Sequence, residues 1–167
     1  MKADIKKLKQ ISIFAPIKNN KKSLEEIIDI IEVRQYNQNE YIIREGDAGD
    51  EMFILSHGSV HIEKRTLEDE SYTVVNLNAD MHVFFGELAL MDNDVRSASV
   101  IADNKCECYV IKASKFKALG NNNPAIGLHI TREIAKKLSS RLRKANQDII
   151  TLFEALVNEI EQREVNV

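Results

Sequence analysis

The chain changes its hydrophobic period twice. Over residues 3–32, Leu8, Ile11 and Phe14 are spaced three apart until Pro16 interrupts them. Ser23 then stands three residues before Glu26, the spacing of a capping box, with Leu24, Ile27, Ile28 and Ile31 forming one apolar face. A pair of helices is expected there. Over residues 33–111 the runs Tyr41–Ile43, Met52–Leu55, Val60–Ile62, Tyr72–Leu77, Val83–Phe85, Ala98–Ile101 and Cys106–Ile111 are short, with recurring β-branched or aromatic residues. Turn-forming clusters separate them, as at Gly46–Asp50 and Ser56–Ser59. Seven or eight strands at this spacing make a sandwich or barrel. No βαβ crossover fits between them, which excludes a doubly wound parallel sheet.

The helical period returns from residue 113. Ser114 to Leu119 reads as a short helix ended by Gly120, and Pro124 takes the first turn of a long one. Along it Ile130, Ile134, Leu138, Leu142, Ala145, Ile149, Leu152, Leu156 and Ile160 recur at spacings of four and three. From Leu138 to Leu156 the alternation is that of a coiled-coil seam. A small barrel cannot cover so long a stripe, so its far end needs another helix. A second copy, paired parallel about a two-fold axis, is the simplest source. The alternative is a break near Asn146 and a fold back. The chain thus divides into a domain over residues 1–145 and a helical extension for dimerisation over 146–167.

A length of 167 residues suits one domain with such an appendage. The net charge of -3 gives no general attraction to nucleic acid or anionic membrane. Tryptophan is absent, which argues against aromatic base-stacking platforms. The N-terminal lysines read as a solvated face, and the basic stretch Lys136 to Lys144 has no groove-reading element beside it. Cys106 and Cys108 point to one face of a strand and are expected to pack as reduced thiols, two ligands being half a metal site. With no apolar signal core and no long apolar run, a cytoplasmic protein without membrane contact is expected.

One segment carries candidate chemistry: Phe84-Phe85-Gly86-Glu87-Leu88-Ala89-Leu90, then Arg96-Ser97-Ala98-Ser99. Gly86 allows a tight turn after a strand, and Glu87 to Met91 can form one or two helical turns with outward-pointing amides. Such amides make an anion site, and the fork of Arg96 can close on the same anion. Glu87 offers an acceptor for a sugar hydroxyl, and Ser97 and Ser99 add small hydroxyls.

These residues resemble the phosphate-binding cassette of cyclic nucleotide-binding domains, the family of the catabolite activator protein and the protein kinase A regulatory subunits. Tyr41–Asp50 and Met52–Val60 are similar to the family's first strands and glycine turns, and the likeness covers roughly residues 8–145. It implies an eight-stranded jelly-roll β-barrel with N-terminal helices and a long C-terminal helix. It also implies that Glu87 bonds the ribose 2′-hydroxyl, and that Arg96 and the amides of Leu88 and Ala89 hold the phosphate while Gly86 permits the turn. Ser97, where many cGMP-binding members have threonine, points to cAMP, with cGMP as the alternative. Counting along the long helix from Asn123-Pro124 puts Arg141 and Leu142 at the base-contacting positions. Arg141 can stack on a purine, and Leu142 reads as seam core; the family's small hydroxylated residues are missing there. Val74 or Val83 should line the barrel side.

The resemblance implies a sensor or regulatory module that relays binding through its C-terminal helix to an unidentified effector protein. An adaptor with an empty cassette, in which Arg96 and Glu87 pair with each other, is the second reading. A metal-dependent cupin-like enzyme is the third, and it is disfavoured: His57 and His61 straddle Gly58, His82 stands apart, and no HxH pair exists. No catalytic grouping is expected.

Overall fold

The computed structural model describes residues 2–66, 68–92 and 95–165. It opens with a short helix α1 (Ile5–Leu8), a 3₁₀ turn over Ser12–Ile17 that contains Pro16, and α2 (Lys21–Ile30). Leu8, Ile11, Phe14, Leu24 and Ile27 are all buried, as their spacing required. The cap of α2 differs from expectation. Asn20, not Ser23, is the first half-helical residue, and its side chain accepts from the Ser23 amide at 3.1 Å. The helical region also ends sooner than residue 32, because Ile31 already begins a strand.

That strand, β1 (Ile31–Tyr36), is followed by β2 (Tyr41–Ile43), β3 (Glu51–His57), β4 (Ser59–Arg65), β5 (Ser71–Asn78), β6 (Phe84–Phe85), β7 (Ser99–Ala102) and β8 (Cys106–Lys112). They form two antiparallel four-stranded sheets, ordered β1-β8-β3-β6 and β2-β7-β4-β5. Phe53, Leu55, Val60, Phe85, Val100 and Val110 fill the space between. Phe53 and Phe85 stack with ring centroids 5.6 Å apart. Cys106 and Cys108 are free thiols in this core. Burial pushes the Cys108 thiol well above its ordinary pKa, so it packs as a neutral group.

An ion-pair cluster ties the outer face of the first sheet to the next helix, α3 (Ala113–Asn122). Arg34 of β1 grips both carboxylate oxygens of Glu51 on β3, at 2.7 and 2.6 Å, and also reaches Glu32 at 2.9 Å. Lys115 of α3 holds the other oxygen of Glu32 at 2.9 Å. Hydrogen bonds from Arg34 and Lys115 lower the Glu32 carboxyl from 4.5 to about 2. A lowered carboxyl stabilises the fold above its unfolded pKa, and that contribution is lost as pH falls through the folded value. Thermal melts between about pH 5 and pH 2 should therefore show wild type converging on Glu32→Gln as acid increases. A constant gap between them across that range would show that Glu32 does not titrate within the cluster.

The last helix, α4 (Pro124–Val165), runs unbroken for 42 residues, so the break near Asn146 does not occur. α3 continues through Gly120 to Asn122, one turn beyond its expected end. A Cβ on Gly127 would lie 2.8 Å from the Gly120 Cα, so glycine lets the start of α4 meet α3 backbone to backbone. The chain divides into two compact units, residues 1–130 and 131–167. The first holds the barrel with its flanking helices. The second, over its described residues 131–165, is the remainder of α4. No described helix is long and apolar enough to cross a membrane.

Candidate functional site

The expected cassette begins where β6 ends. Gly86 adopts φ 70°, a left-handed conformation open to glycine without strain, and caps a 3₁₀ turn over Glu87–Leu90. The tight turn draws the Glu87 carboxylate inward, to 2% exposure, while Leu88 faces out. Its amides are not all outward donors: Ala89 N–H donates to the Gly86 carbonyl at 3.3 Å within the turn.

Arg96 comes back to this turn from the segment just ahead of β7. Its backbone is clasped by the loop between β2 and β3. Gly46 N–H donates to the Arg96 carbonyl and Arg96 N–H to the Asp47 carbonyl, both at 2.9 Å, and Ala48 bridges Val95. The guanidinium then donates to main-chain carbonyls at both ends, Glu51 at 2.8 Å and Gly86 at 3.3 Å. It also lies 5.9 Å from the Phe53 ring centroid. Partial burial lowers its pKa, while the charges of Glu51 and Asp50 work in the opposite direction. The arginine stays a cation, aimed by carbonyl oxygens and partly shielded from water, where it pairs more strongly with an anion than it would in solvent.

Two further residues set this geometry: Gly49, which the sequence marks only as part of a glycine turn, and Glu51, which carries no sequence signal for it. A Cβ on Gly49 would lie 2.1 Å from Arg96 Nε, so the guanidinium occupies the place of the missing side chain. Glu51 acts twice: its carboxylate is fixed by Arg34, and its carbonyl holds Arg96. Gly49 is 47 positions from Arg96 in sequence, and only the sheet brings them together. A cavity of about 190 Å³ reaches Arg96 from the β2–β3 loop. Asp47, Asp50 and Glu51 line it together with Arg96.

The remaining expected residues separate. Ser97 is exposed beside Arg96. Ser99 is buried, and its hydroxyl accepts from the Glu45 amide at 3.0 Å, so it secures the β2–β3 loop. Val83 packs on the barrel core, whereas Val74 is exposed on β5. Arg141 is an exposed residue of α4 within the second compact unit. His61 lies between Asp103, 2.5 Å from Nδ1, and Glu63, 3.2 Å from Nε2. Among the described residues no group of three or more histidines, cysteines and carboxylates is arranged to hold a metal.

The family model for the cyclic nucleotide-binding domain matches residues 33–123, more than half of the chain. The human cGMP-dependent protein kinase 2 is 34% identical over 143 residues, covering 84% of this chain and 17% of the kinase. Glutaminase 1 of Bradyrhizobium diazoefficiens is 34% identical over 130 residues, covering 77% of this chain and 20% of that protein. The chain thus spans about a fifth or less of these curated relatives. The Thermus thermophilus catabolite activator protein shares the fold with a TM-score of 0.75 at 24% identity, over 84% of this chain and 62% of that one. The cAMP-bound regulatory domain of Toxoplasma gondii PKA gives a TM-score of 0.68 at 25% identity, over 81% of this chain and 48% of that one. With the barrel, the left-handed glycine turn and the clasped arginine all in place, the chain belongs to the cyclic nucleotide-binding domain family.

Proposed function

We propose that the chain is a regulatory module that binds cAMP in preference to cGMP in the 86–97 cassette. The observation that carries this reading is the pairing of a buried acceptor with a prepared cation. Glu87 is 2% exposed in the turn whose first carbonyl, that of Gly86, also accepts from Arg96. In this reading Arg96 meets the cyclic phosphate, helped by the Leu88 amide, and Glu87 takes the ribose 2′-hydroxyl. The Ala89 amide joins the phosphate only if it gives up its long bond to Gly86. Ser97 supports cAMP. Relatives named for cGMP and a fold neighbour bound to cAMP bracket the choice. Paired calorimetric titrations test it. Tighter cAMP binding is expected; equal or tighter cGMP overturns the preference, and no binding of either overturns the function and leaves the empty-cassette adaptor.

Binding is passed on, in this proposal, through α4, which pairs with a second copy of the chain over its distal part. The support is the exposure on the single chain of Leu142, Ile149, Leu152, Leu156 and Ile160, between 49% and 70%. Each such side chain is worth about 1.5–3 kcal/mol when buried. Ligand affinity and dimer affinity are then linked reciprocally. Sedimentation should give a dimer for the native chain at micromolar concentration and a monomer for Leu152→Asp combined with Leu156→Asp. A native monomer, or a double variant that stays dimeric, would refute pairing through this seam.

A further inference from the structure

The Glu51 carboxylate is an unfavourable neighbour for a phosphate site. It lines the same cavity as Arg96, and its negative charge acts on the guanidinium. A free carboxylate there would draw the guanidinium to itself and repel an incoming anion. Arg34 of β1 prevents both. It donates to each carboxylate oxygen, Nη1 to Oε2 at 2.7 Å and Nη2 to Oε1 at 2.6 Å. A guanidinium offers a carboxylate this two-pronged fit, and an ammonium does not. Among the described residues the Glu51 carboxylate pairs with Arg34 and, at 4.0 Å, Lys112, and not with Arg96. The side chains of Arg34 and Glu51 are 33% and 18% exposed, so water screens the pair only in part.

The main chain at this point is fixed by other bonds. The Asp50 carbonyl accepts from the Ala113 amide at 2.7 Å, where α3 begins, and Glu51 pairs in register with Lys112 on β8. The Glu51 carbonyl that holds Arg96 is therefore kept in place without help from the Glu51 side chain. Lys115 takes the other oxygen of Glu32, so Glu32 does not claim Arg34 for itself.

We infer that Arg34 is a positioning residue of the phosphate site: by holding both oxygens of the Glu51 carboxylate it keeps that charge off Arg96, whose guanidinium is left to the ligand. The inference rests on the cassette reading above. It gives Arg34 a task that its place on β1, outside the cassette, does not announce. Its effect on binding is electrostatic and passes through Glu51, so it disappears when the Glu51 charge is removed.

Calorimetric titration of the full chain with cAMP and cGMP tests this. Arg34→Met keeps an apolar stem and loses the charge. It should weaken binding about 3- to 10-fold at low salt, the scale of one unpaired charge in a partly screened site, and less near about 0.5 M salt. Arg34→Met combined with Glu51→Gln should recover most of that loss, because no carboxylate is left to restrain. A loss caused by weakened folding would not be repaired by a second substitution in the same cluster, and thermal melts record it separately. Glu32→Gln disturbs the cluster on the other side of Arg34 and should bind within about twofold of wild type. If Arg34→Met does not fold, Arg34→Lys takes its place, with a smaller loss and the same recovery. Unchanged affinity in the folded Arg34 variant, with Lys112 taking up the carboxylate, overturns the role. A loss that Glu51→Gln deepens or leaves in place overturns it too. In both cases the native chain still binds; if it binds neither cyclic nucleotide, the cassette function falls and this role falls with it.

Discussion

Arg96→Ala is expected to weaken cyclic nucleotide binding by about 10- to 100-fold, and by more than Glu87→Ala does. In the proposed complex Arg96 faces a full phosphate charge, and charge-assisted hydrogen bonds contribute about 1.5–3 kcal/mol each. The guanidinium needs little reorganisation to do this, because the Glu51 and Gly86 carbonyls already aim it. Glu87 faces a neutral hydroxyl, and its own charge lies near the phosphate it would help to bind. Titration of both variants decides the order, with thermal melts as the control for folding. The control matters most for Glu87, since truncating a 2%-exposed side chain leaves a space in the turn. Wild-type affinity in a folded Arg96→Ala variant would remove the phosphate role.

Gly49→Ala should weaken binding about tenfold or more, although Gly49 is not expected to touch the ligand. Its Cβ would stand 2.1 Å from Arg96 Nε and 2.5 Å from Cζ, so the guanidinium has to leave its seat. The backbone at Gly49 is not left-handed, and the obstructed group is the end of a flexible side chain. The fold should therefore melt close to wild type while affinity falls. Because both substitutions act through one guanidinium, Gly49→Ala combined with Arg96→Ala should bind no worse than Arg96→Ala alone. Additive losses would mean that Gly49 acts by another route, and undiminished affinity in Gly49→Ala would mean that Arg96 has a second productive position.

The strand runs from Tyr41 to Ile111 were legible because each is a short β-branched or aromatic stretch bounded by turn residues, and each falls within a strand or overlaps one closely. β1 was harder to read. Ile31 continues the apolar spacing of α2, and Glu32, Arg34 and Gln35 break the apolar run that marks the other strands. Its charged residues belong to an ion-pair cluster with Glu51 and Lys115, so they satisfy one another across the sheet. The cap of α2 was misplaced for a related reason. Asn20 and Ser23 are both good caps by type, and what decides between them is where the preceding 3₁₀ turn releases the chain.

What the sequence determined by itself was local: most element types, the helical period that continues behind Pro124, and the Gly86 turn with Arg96 ahead of the next strand. These depend on residue choice within a few positions, where a left-handed glycine, a heptad interval or an arginine before a strand is written directly in the order of residues. Only the tertiary structure decided how Arg96 is held. Gly46, Asp47, Gly49 and Glu51 reach it across about fifty positions because β2 pairs with β7 and β3 with β6, bringing the β2–β3 loop against both ends of the cassette. Ser99 shows the same limit, a hydroxyl that reads as a ligand donor in sequence but is bound to the Glu45 amide once the strands meet. A side chain's type sets what it can bond, but its partner depends on which backbone groups the sheet register brings within about 3 Å.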